Sequence, residues 1–265
     1  MTTTADRRPR VLAVAMQKGG VSKTTTAINV AVSLAELGLR VVLLDMDPQA
    51  NATDGLGIEM SADDVTMFEV LTDEPDDRVA LSDALIESRW GVLVGASHRV
   101  MRKLERYGLG AGGYQRFANQ VRSLDADFVV IDCPPNLGEL TVAALTAADS
   151  VLATVLPGPD EIKALIELQR SVRETRESLN PEVSIDFVIA TIFDGRTTVH
   201  KDVRRTLRED WEQEYLGEIS NTIRVKEAKH AQMPVVHYAP SENVSGDYRR
   251  VAKAIKERML ADVRV

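Results

Sequence analysis

The chain has 265 residues, 44% of them hydrophobic and 5% aromatic, with a formal net charge of −8. That length fits one large α/β domain with an aliphatic core. A single cysteine excludes a disulfide framework and any cysteine-rich zinc or iron–sulfur site built within one chain, and no apolar run is long enough to span a bilayer. No signal-peptide pattern follows the N-terminal Thr-Thr-Thr-Ala-Asp-Arg-Arg-Pro-Arg, so a cytoplasmic protein is expected.

Residues 1–9 read as a short N-terminal arm and residues 10–265 as a single domain. Val11–Met16 is an apolar strand, and the glycine-rich turn Gln17-Lys18-Gly19-Gly20-Val21-Ser22-Lys23-Thr24-Thr25 joins it to a helix over Thr24–Leu37. In that helix Ile28, Ala31, Val32 and Ala35 recur at helical spacing, and Gly38 stops it. A second apolar strand, Val41–Leu44, runs into Asp45-Met46-Asp47-Pro48 and completes a βαβ unit; strands that are apolar throughout suit a parallel sheet covered on both faces. Residues 48–90 are less regular and include the acidic run Asp73–Asp77. Trp90–Val94 reads as a third strand, followed by the basic stretch His98, Arg99, Arg102, Lys103, Arg106 and the glycine-rich Gly108–Gly113. Beyond it a helix (Tyr114–Leu124), a buried strand (Phe128–Asp132), a helix (Leu137–Ala148) and a strand (Ser150–Leu156) alternate. Helices over Ile162–Leu179, Val199–Asp210 and Val244–Leu260, with a strand at Ile185–Phe193, complete the expectation. The predicted fold is a single doubly wound, mostly parallel α/β sheet with helices on both faces.

The turn at 17–25 sets backbone amides and a helix N-terminus around one point, which suits a phosphate. A lysine followed by Thr-Thr adds a cation for phosphate oxygens and a hydroxyl for Mg²⁺. The match to G-x-x-x-x-G-K-[ST] is imperfect, because Gln17 and Ser22 stand where glycines belong. Acidic residues close two strands: Asp45 and Asp47 after the second, Asp132 after Phe128–Ile131. A carboxylate at the end of an apolar strand, with a phosphate loop upstream, points to a metal–nucleotide site.

Taken together the motifs are specific. Lys18-Gly-Gly-Val-Ser-Lys-Thr-Thr25 resembles the deviant Walker A box, K-G-G-x-G-K-[ST], of the ParA/Soj and MinD ATPases. Asp45-Met-Asp-Pro-Gln49 with Asn51-Ala-Thr53 resembles D-x-D-P-Q-x-N-x-T, and Asp132-Cys-Pro-Pro135 with Leu137-Gly-Glu-Leu-Thr141 and Ala144-Leu145 resembles D-[CT]-P-P…L-G-x-L-T-x-N-A-L. Asp194-Gly-Arg-Thr197 and Tyr248-Arg-Arg250 continue the family's order. The resemblance implies a P-loop ATPase domain using ATP and Mg²⁺. Lys23 would lie on the β/γ-phosphates, and Gly19, Gly20, Val21, Ser22 and Thr25 would line the nucleotide. Thr24 and Asp132 would hold Mg²⁺, Asp45 would support the metal shell or serve structure alone, and Asp47 would position the attacking water. Lys18 would cross a dimer interface to the partner's nucleotide, as the family's signature lysine does.

Four departures qualify the resemblance. Ser22 replaces a glycine, for which helix N-cap preference offers a rationale. Ala143 replaces an asparagine, and Ser220 and Thr222 replace the proline and asparagine expected against adenine. Asn221 replaces the first arginine of the same segment, leaving Arg224. Cys133 reads as a small buried residue rather than a reactive thiol.

The ParA resemblance further implies an ATP-dependent homodimer that binds DNA without sequence preference, is stimulated by a ParB-like partner, and is nucleoid-associated. Residues 196–265 carry 14 Lys/Arg against 11 Asp/Glu, while residues 1–195 carry 18 against 29. The candidate DNA contacts are Arg196, Lys201, Arg204, Arg205, Arg208, Arg224, Lys226, Lys229, Arg249, Arg250 and Lys253. With about ten residues ahead of the strand that leads into the loop, no helix-turn-helix is expected there. The competing reading is a MinD-like membrane-associated ATPase anchored by residues 248–262, whose apolar face is modest, so membrane binding is not expected. A cluster-bearing reductase would need a second cysteine, and an amide ligase would need a substrate-carboxylate site that the sequence does not reveal.

Overall fold

The computed structural model describes residues 8–61, 64–158 and 160–261, so most of the expected N-terminal arm lies outside the described residues. The strands are β1 (Arg10–Ala15), β2 (Val41–Asp45), β3 (Leu85–Glu87), β4 (Val92–Gly95), β5 (Phe128–Asp132), β6 (Ser150–Val155), β7 (Ser184–Phe193) and β8 (Tyr215–Ser220). The helices are α1 (Lys23–Glu36), α2 (Asn51–Gly55), α3 (Met67–Leu71), α4 (Arg102–Tyr107), α5 (Gly113–Arg122), α6 (Glu139–Ala147), α7 (Glu161–Ser178), α8 (Thr198–Asp210), α9 (Arg224–His230), α10 (Val235–Tyr238) and α11 (Asn243–Ala261).

All eight strands form one sheet in the order β3-β4-β2-β5-β1-β6-β7-β8. Every pairing is parallel except β3–β4. Period-two alternation divides each central strand between two cores. Val11, Ala13, Val129, Ile131, Val151 and Ala153 face one core with Phe117 of α5, Leu140 of α6 and Leu165 of α7. Leu12, Val14, Leu43, Phe128, Val130 and Leu152 face the other, against Val30 and Leu34 of α1 and Val251 and Ile255 of α11. Each fully buried side chain of this size contributes about 1.5–3 kcal/mol, so the central strands are the most firmly held part of the molecule.

The doubly wound reading is correct, and the structure extends it in three places. The stretch 48–90, expected to be irregular, contains α2, α3 and the short antiparallel edge strand β3. The acidic run at 73–77 includes an exposed 3₁₀ turn at Pro75–Asp77. The third strand begins at Val92 rather than Trp90, whose indole N–H instead donates to the Leu56 carbonyl at 3.0 Å. At the opposite edge β8 has no counterpart in the periodicity, and α9 and α10 follow it.

Candidate active site

β1 lies between β5 and β6, while the chain leaves it for β2 on the far side of β5, so the winding reverses at this point. Carboxyl strand ends at such a reversal form a ligand-binding crevice. Here Val14 of β1 is in register with Asp132 of β5, and Asp132 with Asp45 of β2. The Cys133 amide donates to the Val14 carbonyl at 3.2 Å, and the Met46 amide to the Asp132 carbonyl at 3.0 Å, which ties the three strand ends together.

The glycine-rich turn emerges from β1 directly beside Asp132. Gly20 takes φ +79°, and a Cβ added at Gly19 or Gly20 would meet nothing within 4 Å, so the rim is open to a ligand. Val21 is buried and its carbonyl accepts from the Thr191 hydroxyl of β7 at 3.1 Å, which anchors the turn to the sheet. Ser22 stands at the N-cap position of α1 but with φ +63° and ψ +26°, and its side chain makes no capping bond. The N-cap rationale for serine is therefore corrected: the position needs the left-handed conformation that glycine takes freely. Thr24 and Thr25 open α1 half-exposed.

Lys23 is buried and its Nζ donates to the Lys18 carbonyl at 2.7 Å, folding the side chain back along the turn. Burial lowers its pKa, opposed by Asp132. Asp132 is fully buried, and neither carboxylate oxygen meets a hydrogen-bond partner among the described residues. Its pKa is pushed up by burial and by the neighbouring Asp45, against help from Thr24 and Lys23. A buried carboxylate left in this condition is costly unless a cation joins it. These orphaned oxygens, the open glycine rim and the adjacent Thr24 hydroxyl fit a magnesium–nucleotide, in which Mg²⁺ would supply charge neutralisation of the phosphates. Cys133 beside it is buried, and burial raises its thiol pKa above the ordinary range, consistent with a packing role.

Asp45 has the structural surroundings that one of its two expected roles requires. Its Oδ1 accepts from the Asp47 amide at 3.1 Å, and its Oδ2 from the Ala52 amide (3.1 Å), the Thr53 amide (2.8 Å) and the Thr53 hydroxyl (2.8 Å). With both oxygens so engaged, Asp45 fastens the Asp47 loop to the start of α2. Burial pushes its pKa up to about 7, opposed by the Thr53 bonds. Asp47 is nearly buried, and its Oδ1 accepts from the Gln49 amide at 2.9 Å. Ser97, absent from the sequence reading, donates from its hydroxyl to the Asp47 carbonyl at 2.7 Å and from its amide to Thr53 Oγ1 at 3.0 Å. Its position just beyond the carboxyl end of β4 was the available signal.

Lys18 belongs to the turn itself, and its side chain is engaged by α7. Its Nζ pairs with Glu161 Oε1 of α7 at 2.5 Å, which raises its pKa. Nothing local in the sequence marks Glu161, which is 143 positions away. At the expected base-binding end, Ser220 lines a cavity of about 540 Å³ with residues 240–243, Gly246, Asp247 and Arg250. Its amide and hydroxyl both donate to Asp247 Oδ2, at 3.0 and 2.6 Å. Thr222 is not among the residues lining that cavity; its Oγ1 accepts from the Arg224 amide at 3.3 Å.

The expected DNA-contact set divides sharply. Arg249 forks onto Glu36 at 2.7 and 2.9 Å and also reaches the Val236 and Pro240 carbonyls. Arg250 donates to the Leu216 and Glu218 carbonyls. These two fasten α11 to neighbouring elements. Arg224 pairs with Glu227 and Glu242, Arg196 with Asp194, Arg205 with Asp202, Lys253 with Glu257, and Arg204 and Arg208 share Glu218. Lys229 donates to Asn51 at 3.1 Å. Lys201 and Lys226 are exposed without an ion pair among the described residues.

A strand, glycine-rich turn and helix facing an unpartnered strand-end aspartate define a P-loop nucleotide-binding fold. A family profile described as an AAA domain matches residues 9–185. The sporulation initiation inhibitor protein Soj of Bacillus subtilis is 32% identical over 260 residues, covering 93% of this chain and 98% of Soj. The chromosome partitioning protein ParA of Caulobacter vibrioides is 35% identical over 256 residues, covering 94% of each chain. A solved structure from Mycobacterium smegmatis, described as cobyrinic acid a,c-diamide synthase with bound ADP and magnesium, superimposes with a TM-score of 0.80 at 30% identity over 94% of each chain. The chain belongs to the Soj/ParA family.

Proposed function

We propose that this protein is a ParA-type partition ATPase, hydrolysing ATP to ADP and phosphate with Mg²⁺. The observation that carries the reading is Asp132: a fully buried carboxylate with both oxygens unpartnered, set between Lys23, Thr24 and the open glycine rim. In the reading, Thr24 and Asp132 hold the metal, Lys23 leaves the Lys18 carbonyl for the phosphates, and Asp47 orients the attacking water through its carboxylate. Backbone amides at 19–25 and the N-terminus of α1 receive the phosphate charge. Residues 10–265 act as one ATPase domain. Lys18 leaves Glu161 to reach the nucleotide of a second subunit, so that nucleotide binding and dimerisation are one equilibrium. The dimer binds DNA without sequence preference and associates with the nucleoid, and a ParB-like DNA-bound protein stimulates hydrolysis. Support for partition over diamide synthesis comes from the Soj and ParA relatives, which match at higher sequence identity.

The MinD-like alternative finds less support. Val251, Ala252, Ile255 and Met259 of α11 are buried in the core against the sheet, leaving that face unavailable for a bilayer. Among the described residues no helix is long and apolar enough to cross a membrane.

One comparison tests the assignments. Asp47→Ala should bind ATP and dimerise but hydrolyse about 10²-fold more slowly or worse. Lys18→Ala should bind ATP yet remain a monomer by light scattering. Normal turnover in the first variant, or normal ATP-dependent assembly in the second, would falsify the corresponding role.

A further inference from the structure

The segment after β4 carries a charged surface that the reading above leaves unused. Arg99, Arg102, Lys103 and Arg106 are exposed, and none has an ion pair among the described residues. Arg106 lies over the ring of Tyr107 at 5.4 Å, and Tyr107 is 75% exposed. The contrast with the C-terminal set is physical. An arginine already forked onto a carboxylate must give up that partner before it can take a phosphate, whereas these cations have no carboxylate partner to surrender among the described residues. Arg102 and Arg106 are one helical turn apart, about 6 Å along the axis, on an outward-facing turn suited to a backbone of repeating phosphates. In a chain of net charge −8, an anionic polymer is drawn to such a local concentration of positive charge rather than to the body of the protein.

The same segment touches both carboxylate loops from its inner side. Ser97 bonds the Asp47 carbonyl, and Met101 is buried against it, with Sδ 3.0 Å from the Ser97 hydroxyl. Glu105 of α4 turns its carboxylate toward the Glu139 and Leu140 amides at the start of α6, directly over Gly138, where a Cβ would overlap it. Gly138 lies in the loop that leaves Asp132. A displacement of α4 is therefore felt by the Asp47 loop and by the Asp132 loop together.

We propose that residues 98–107 form a binding surface for the phosphate backbone of duplex DNA, coupled through Ser97 and Glu105 to the two catalytic loops. The proposal rests on the DNA-binding reading given above and places a contact surface outside the C-terminal quarter. Phosphate contacts of this kind are independent of sequence and weaken with salt.

The test uses the full chain loaded with a non-hydrolysable ATP analogue and a duplex of arbitrary sequence, titrated at several salt concentrations. The triple variant Arg99→Gln, Arg102→Gln, Arg106→Gln should bind at least ten-fold more weakly, with a log–log salt slope shallower by about 3. Its hydrolysis without DNA should stay within two-fold of the parent, and any change in hydrolysis caused by DNA should be lost. A matching triple Arg→Lys variant should restore most of the binding, which separates lost charge from lost folding. Parent-like affinity and slope in the glutamine variant, with binding lost instead in Lys201→Gln, Lys226→Gln, overturns this surface alone. Absence of duplex binding by the ATP-loaded parent overturns the DNA reading itself. Tighter binding of poly-L-glutamate than of duplex at equal charge overturns the choice of ligand and assigns the surface to an acidic protein.

Discussion

At the level of single residues the site turns on Asp132, whose two carboxylate oxygens are buried without a hydrogen-bond partner among the described residues. Asp132 was legible because an apolar strand ending in aspartate leaves few other interpretations once a phosphate loop precedes it. The two roles open to Asp45 could not be separated in the sequence, because its spacing from Asp47 says nothing about the Thr53 and Ala52 donors that reach it. Glu161 was invisible for the same reason, since only the fold brings α7 to Lys18. Ser22 gives a direct energetic prediction. A non-glycine residue at φ +63° carries about 1–2 kcal/mol of backbone strain, part of which glycine's greater unfolded-state entropy offsets. Ser22→Gly should therefore stabilise the nucleotide-free protein by about 0.5–1 kcal/mol in urea unfolding. A loss of stability would show that the serine hydroxyl contributes more than its backbone costs.

Among the elements, legibility followed burial. The central strands β1, β2, β5 and β6 are nearly or wholly buried and read as continuous apolar runs. The edge strand β8 buries only Leu216 and Ile219, and Gly217 interrupts it at φ +103° beneath Arg250, so its alternation was too weak to register. Helices α2, α9 and α10 span only 5, 7 and 4 residues, too few to display a period. The basic residues near the C-terminus were read as one surface, but two of them join elements. Arg249 ties α11 to Glu36 at the end of α1 while bonding the carbonyls of Val236 and Pro240. The arginine hydrogen bond lowers the Glu36 pKa, so its stabilising contribution is present above the unfolded value of about 4.3 and is lost as pH falls through the folded one. Glu36→Gln should flatten the decline in unfolding free energy below about pH 4.3, by less than about 1 kcal/mol given the partial exposure of the pair. An unchanged acid limb in that variant would remove Glu36 from the account.

For the molecule as a whole, the sheet order brings the glycine turn, Asp47 and Asp132 to the carboxyl ends of adjacent central strands, although Asp132 lies 85 residues beyond Asp47 in the chain. The motif order in the sequence already implied that convergence, whereas the attachment of residues 97–105 to the same edge required the fold. Cys133 turns this arrangement into a measurable quantity. It is the chain's only thiol, lies at 1% exposure next to Asp132, and is held protonated by burial. A thiol reagent can reach it only when the carboxyl end of the sheet opens, so the labelling rate counts excursions out of the native state. Because nucleotide binds the closed form, ATP and Mg²⁺ at 100 times their dissociation constant should slow labelling about 100-fold. Labelling that ignores nucleotide would mean the thiol is reached by a local path unconnected with the site. The unmodified chain thus carries its own probe of how tightly bound nucleotide closes the sheet edge.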